Sequence, residues 1–394
     1  MPFASALSLH PDAAAATGEV VGQVLDQLGP GPDLAALFCS PHHVDAVADV
    51  AASVRALLGP GVLLGATGVA VVGGTREVED EPGVSLWAAR LPAPPRPVRV
   101  TAARTPSGTA VGGLGAGTCG PGEVLVLLAD PSSLPLDEVV ELLGGLDPPV
   151  PVVGGAASAA RGGNRLVLDG EVVSDGGVGV VLPAGTATTL VVSQGCRPVG
   201  DPMIVTRAER NLLVELAGRP ALDRLEQVVL SAGPEERDHL ARGLHLGVAV
   251  DEHQMDFDRG DFVVRNVLGA DRGTRALAVG TTVQFQVRDA RAADDDLRDR
   301  LAQAATGPPA DAALMFTCNG RGRRLFGEPD HDALAVEAVV PSGAVAGMFC
   351  AGEIGPVGGR SFVHGFTASI VLFHDREQGG NGDASSDGTP PDAH

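Results

Sequence analysis

An internal repeat constrains the fold more than any other feature of this chain. Residues 34–40 (LAALFCS) form a short apolar run, followed by a helical stretch over 44–58 and a second apolar run at 61–67 (GVLLGAT). The same order returns at 124–130 (VLVLLAD), LDEVVELLGG and 150–158 (VPVVGGAAS). It returns again at 312–318 (AALMFTC), HDALAVEAVV and 344–355 (AVAGMFCAGEIG). Each unit reads as a buried strand, a helix, a second buried strand and a Gly-rich turn. The alternating runs that follow (GVSLWAARL; RLVLDGEVV with GVGVVLP; FVHGFTASIVLF) predict hairpins. Gly65, Gly154 and Gly347 hold equivalent places, and residues 245–250 (HLGVAV) stand where a fourth, degraded copy would fall. Strand–helix–strand–hairpin units predict an α+β fold of mixed sheets with helices on the outer faces, an αββα-like layering in two domains.

The domains expected are 1–217 and 218–374, divided near Gly218, with a tail from 375 that is polar, acidic and expected to be disordered. A Pro-rich segment at 91–100 (LPAPPRPVRV) reads as a polyproline connector between the first two units. The tail carries five acids and one Arg, so most of the net charge of −21 belongs to the folded part. That charge repels a phosphate backbone, and 3% aromatic residues leave few base-stacking platforms, so nucleic-acid binding is not expected. The 28 basic residues are all Arg, which excludes a Walker Lys, a lysine Schiff base and a lysine general base. No run of about 18 apolar residues predicts a membrane span, and no signal peptide is visible at the start. Five scattered Cys without a CxxC pair point to reduced thiols and a cytoplasmic location rather than to disulfides or zinc. The Lys-free, Ala/Gly/Pro/Arg-rich composition is that of a GC-rich bacterial genome. Neither a cofactor nor a metal ion is expected.

Several motifs read as structural. Residues 115–120 match GxGxxG but precede a strand rather than opening a helix, so the phosphate-binding context is missing. The acidic stretch 251–261 departs from calcium-loop spacing, Asp294–Asp296 sits where acids favour a helix start, and His42-His43 has no further ligand at metal spacing. GxSxG and HExxH are absent.

The C-terminal third carries denser chemistry. Thr317-Cys-Asn-Gly-Arg-Gly322 follows one predicted strand and Gly352-Glu-Ile-Gly-Pro356 another, and the repeat predicts that both turns open at one sheet end, where α/β proteins place ligands. Gly320 and Gly322 leave backbone N–H groups free to approach an anion. Arg321 can grip a carboxylate and Glu353 can accept an ammonium, the minimal chemistry for a zwitterion; a structural Arg–Glu pair holding the two turns is the alternative. Arg265, Asn266, Asp271, Arg288 and Asp289, at the exits of strand-like runs, are secondary candidates. Cys318 is either a small buried residue or a thiol activated by its Arg-rich setting, with Glu353 or His364 as base.

FVVRNVLGAD, VQFQVRDA, FTCNGRG and GMFCAGEIGPVGG followed by HGFTASIVLF resemble the FIST C-terminal domain. ASALSLHPD, LAALFCSPHH, GVLLGATG and VPVVGGAASA are similar to the FIST N-terminal domain, so the resemblance runs from about residue 3 to 374. GAT at 65–67 departs from the small polar turn, with an acidic residue after it, that many members carry. The resemblance implies a non-catalytic intracellular sensory module for a small ligand, amino acids among them, coupled to a signalling protein partner. An adaptor that binds proteins and a Cys318-dependent enzyme are the competing expectations.

Overall fold

A computed structural model describes residues 2–106, 108–159, 162–209, 212–250, 257, 259–267 and 281–375. The first repeat comprises β1 (Phe3–Ser8), α1 (Ala13–Leu28), β2 (Leu34–Cys39), α2 (Val47–Leu58), β3 (Val62–Thr67), β4 (Ala70–Gly73), β5 (Arg76–Glu79) and β6 (Val84–Ala89). The second comprises β7 (Arg96–Thr105), β8 (Gly108–Gly112), β9 (Val124–Ala129), α3 (Leu136–Gly144), β10 (Val152–Ala156), β11 (Leu166–Leu168), β12 (Glu171–Val173) and β13 (Gly177–Leu182). The third begins with β14 (Thr188–Gln194). It is interrupted by β15 (Cys196–Glu209), β16 (Leu212–Leu216), β17 (Arg219–Pro220), α4 (Ala221–Ser231), α5 (Pro234–Arg242), β18 (Leu244–Ala249), β19 (Phe262–Asn266), β20 (Thr282–Arg288) and α6 (Ala290–Ala304). It resumes with β21 (Ala312–Cys318), α7 (Arg323–Phe326), α8 (His331–Glu337), β22 (Val345–Cys350), β23 (Glu353–Val357), β24 (Arg360–His364) and β25 (Thr367–Phe373).

In every repeat the first and second core strands pair in parallel, β2 with β3, β9 with β10 and β21 with β22. The last strand returns antiparallel to the first. The hairpin between them leaves its own sheet: β4–β5 adds to β22, β11–β12 to β3 and β23–β24 to β10. Three sheets are thereby completed in a closed cycle, each by another repeat's hairpin. Hydrogen-bonded strands consequently cross residue 218 in three of the four sheets. The fourth sheet, β17-β16-β15-β20-β18-β19, is built by the interruption. Its β18, the expected fourth copy, pairs antiparallel with both neighbours, so among the described residues three copies form and a fourth does not.

The core strands are apolar throughout because both faces are covered. Period-two alternation sends Val126 and Leu128 of β9 into a central core shared by the three sheets, and Leu125, Leu127 and Ala129 under α3. The central core takes Leu34, Phe38 and Trp87 from the first sheet and Leu314, Phe316 and Phe373 from the third. Phe3, Trp87 and Phe373 form an aromatic triangle with centroid separations of 5.8, 4.9 and 5.7 Å. Helices α1 and α2 cover the outer face of the first sheet, α6 and α8 that of the third. The layering is the one expected from the repeat. The tail expected from 375 onward lies largely outside the described residues.

The equivalent glycines have a common cause. Gly65, Gly154 and Gly347 stand opposite Leu37, Leu127 and Met315 in the parallel registers, and a Cβ at each would strike that residue's carbonyl oxygen. Gly347→Ala should therefore lower stability by at least about 2 kcal/mol in urea unfolding, as overpacking does. Gly22→Ala, in open space within α1, should instead raise it by up to about 1 kcal/mol. Equal effects would show that the strand contact is not what requires glycine.

Candidate functional site

The interruption of the third repeat leaves after Gln194 and returns through β20. Its two ends are neighbours, since Cys196 of β15 faces Arg288 of β20. Phe366, just before β25, packs against this junction with φ of 64°, a left-handed conformation that costs a bulky residue about 1–3 kcal/mol. The Arg288 guanidinium stands 4.9 Å from the Phe366 ring centroid and the His245 ring lies 4.3 Å from it. Arg288 Nη2 donates to the Gly320 carbonyl, and the Gly320 N–H points at Cys318 Sγ, 3.5 Å away. A Cβ on Gly195 would overlap the Phe366 carbonyl and lie 3.1 Å from Arg321 Nη1, so the junction, Phe366 and Arg321 converge. Asn319, Gly320, Gly365, Phe366 and Arg288 are half-buried at the rim, while Cys318, Arg321 and Glu353 are buried behind it.

Arg321 is fully buried and forks onto Asp332, Nε to Oδ2 at 2.6 Å and Nη2 to Oδ1 at 2.9 Å. Asp332 also accepts from Thr317 Oγ1 at 2.9 Å and lies 3.0 Å from His331 Nδ1. Burial raises the Asp332 carboxyl, but Arg321 outweighs it and holds the group well below the usual carboxylate range. Glu77 arrives on the exchanged hairpin β4–β5 and accepts from the N–H groups of Asp332 and Ala333 at 2.9 and 3.0 Å. Burial, then the Asp332 charge, pushes Glu77 up to about 8. Glu79 of the same hairpin accepts from the Arg323 N–H at 3.0 Å and abuts Gly322, where any Cβ would collide with it.

Glu353 sits opposite Gly155 where the hairpin of the third repeat joins β10; the corresponding places of the other hairpins hold Val71 and Leu166. A carboxyl therefore replaces an apolar residue at a fully buried position. Its Oε2 accepts from the Thr367 N–H at 3.1 Å and hydroxyl at 2.9 Å. Burial pushes the group up to about 8, only partly opposed by Thr367, Cys318 and Arg321. Among the described residues, Arg321 Nη1 and Glu353 Oε1 both lie buried without a hydrogen-bond partner.

The structure thus brings Arg288, Cys318, Asn319, Gly320, Arg321 and Gly322 together, with Glu353 beside Cys318. The Asn319 N–H donates to the Cys350 carbonyl at 2.9 Å, joining the ends of β21 and β22 as expected. Gly352 lies at the turn before Glu353, its carbonyl accepting from the Ala156 N–H at 2.8 Å. Other expectations are corrected. Arg321 takes Asp332 as its ion partner rather than Glu353, because the α8 start carries Asp332 against the turn. Asp289 caps α6, accepting from Arg291 and Ala292, and binds Arg197 at 2.7 Å, so it is structural. Arg265 pairs with Asp137 at 2.8 Å and the Val363 carbonyl at 2.6 Å. The Asn266 side chain, Asp271 and most of 251–261 lie outside the described residues. The Cys318 thiol is not activated: burial and the Glu353 charge push it up to about 12. His364 pairs with Glu353 across β23 and β24, but its Nε2 meets the Gly355 carbonyl at 2.9 Å and burial pushes it down to about 4. Asp332, Glu77 and Phe366 were not singled out in the sequence, although the acidic start of HDALAVEAVV hinted at the first.

Family comparison agrees with this architecture. The FIST N domain matches residues 33–219 and the FIST C domain residues 221–356. An uncharacterized protein of Mycobacterium tuberculosis (strain ATCC 25618 / H37Rv) is 44% identical over 381 residues, covering 94% of this chain and 98% of the relative. An uncharacterized protein of Mycobacterium bovis is 44% identical over 376 residues, covering 93% and 97%. The chain belongs to the FIST family, whose domains are sensory domains of signal transduction rather than catalysts. Among the described residues no helix is long and apolar enough to cross a membrane.

Two outcomes test the site's electrostatics. The folded chain holds the Glu353 proton more tightly than the unfolded one, so this group lowers stability as pH rises from about 4.5 to about 8. In urea unfolding, Glu353→Gln should gain on the wild type across that window and level off above it; a constant difference would show an ionised carboxylate. Alkylation of Cys318 at pH 7.5, followed by peptide mass spectrometry, should run at least about tenfold slower than that of a model thiol. A rate equal to or above the model thiol would restore the nucleophile.

Proposed function

We propose that this chain is a sensor of a small amino-acid-like molecule, received in its C-terminal half at the turn Cys318–Gly322 and at Glu353, with Arg288 and Phe366 at the rim. The observation that carries the reading is the pair of buried atoms that find no partner among the described residues, Arg321 Nη1 and Glu353 Oε1, set around Cys318. Buried polar groups are ordinarily satisfied, and an unsatisfied one costs about 1–3 kcal/mol. A zwitterion satisfies both: its carboxylate takes the guanidinium N–H, and its ammonium takes the carboxyl oxygen. The ammonium also favours ionised Glu353, so binding near neutral pH should release a proton. Because Phe366 is held in a strained conformation against Arg288, a ligand that enters beside it has a route to the β15–β20 junction. The cysteine-nucleophile reading has against it a raised thiol and a His364 turned to a backbone carbonyl.

A panel of free amino acids should contain at least one that stabilises the protein by about 2.7 kcal/mol at a hundredfold excess over its Kd. Calorimetry in buffers of different ionisation enthalpy should register the proton release. Arg321→Lys, which keeps a charge for Asp332 but withdraws Nη1, should abolish the thermal shift. No shift across the panel, or a shift that survives this variant, overturns the assignment.

A further inference from the structure

Among the described residues β14 is the edge strand of its sheet, hydrogen-bonded to β25 and to no strand on its other side. The His374 N–H donates to the Ala187 carbonyl at 3.0 Å, which fixes the alternation of the antiparallel ladder. Residues 189, 191 and 193 turn their backbone groups toward β25, whereas 188, 190, 192 and 194 turn theirs outward. The outward N–H of Gln194 is taken by Asp296 Oδ2 at 2.7 Å, and those of Leu190 and Val192 face a cleft. That cleft has a volume of about 990 Å³ and runs along the strand from Thr189 to Gln194. The C-terminal half of α6 forms one wall and the β23–β24 turn the other.

The walls carry cations. Arg300 of α6 and Arg360 of β24 both line the cleft, in a chain whose net charge is −21. Arg360 stands 5.6 Å from the Phe362 ring centroid and enters no ion pair with another described residue. Arg300 holds Asp296 at a loose 3.6 Å. Asp261 lines the cleft as well and is the carboxylate that an acidic occupant must avoid. Leu190, Val192 and Val357 supply apolar surface beside the guanidinium groups.

We propose that this cleft binds an extended acidic peptide segment of a partner protein, added as a further strand on β14. Open-edge N–H and C=O groups provide the main-chain hydrogen bonds, and alternate side chains of the added strand meet the apolar surface and the arginines. Strand addition explains why a free edge, two walls and two guanidinium groups occur together. A small anion would need the arginines but not the edge. The site is separate from the turn at Arg321, and its test does not depend on that reading.

The probe is a fluorescein-labelled peptide of alternating Val and Glu, eight residues long, titrated into the full chain and followed by anisotropy. Binding is expected, with a Kd at least about tenfold weaker for the double variant Arg300→Glu, Arg360→Glu. The same peptide N-methylated at every second residue keeps its charge but cannot pair with a strand, and should not bind. A Val/Lys peptide should not bind either. Equal binding of the N-methylated or the Val/Lys peptide overturns strand addition or acidic selectivity, and no binding at millimolar protein overturns the site. If the probe binds only after residues 376–394 are removed, the occupant is this chain's own acidic tail, and the proposal of a partner fails.

Discussion

The structure depends on hairpin exchange between the repeats. A two-stranded hairpin is marginal in water by itself, and each hairpin here gains its stability by extending a neighbour's sheet. The exchange closes after three steps, so β3, β10 and β22 are each covered by chain from another repeat. The central core, with Trp87, Phe316 and Phe373 at its middle, is then enclosed by three sheets rather than sandwiched between two.

The candidate site is a product of the same exchange. Glu77 and Glu79 reach the Arg321 turn because β5 belongs to the first repeat, and Glu353 stands beside Cys318 although β23 belongs to the sheet of the second. A buried ion pair such as Arg321–Asp332 adds little net stability over an apolar pair of similar volume, but removing one partner costs about 3–5 kcal/mol. The pair is best understood as a device that fixes the turn. It leaves one guanidinium nitrogen without a hydrogen-bond partner among the described residues.

Much of this was legible in the sequence because strand periodicity and glycine placement are local properties. Gly65, Gly154 and Gly347 mark the repeat since each faces a carbonyl in the adjacent strand, and apolar runs such as VLVLLA mark strands covered on both faces. The grouping of Cys318, Arg321 and Glu353 followed from the repeat alone. What could not be read was anything decided by exchange: which hairpin completes which sheet, and hence that Glu77 supports Asp332 from more than 250 residues away. Asp332 itself was hidden because an acid near a helix start has a local explanation. The false fourth copy at 245–250 failed for a related reason, since an apolar run with a glycine suits an antiparallel strand equally well.

The exchange also speaks to symmetry. Each repeat gives its hairpin to one neighbour and receives one from the other, a head-to-tail contact whose rotation closes after three members. That is the geometry of a domain-swapped trimer written into one polypeptide. A single repeat, freed from the others, would have its own hairpin unplaced and one core strand uncovered, and three identical copies would place every hairpin and cover every core strand. Covalent linkage removes the need for identity. In this chain the third member has used that freedom to carry an inserted sheet and a buried arginine that a symmetric trimer would have to repeat three times.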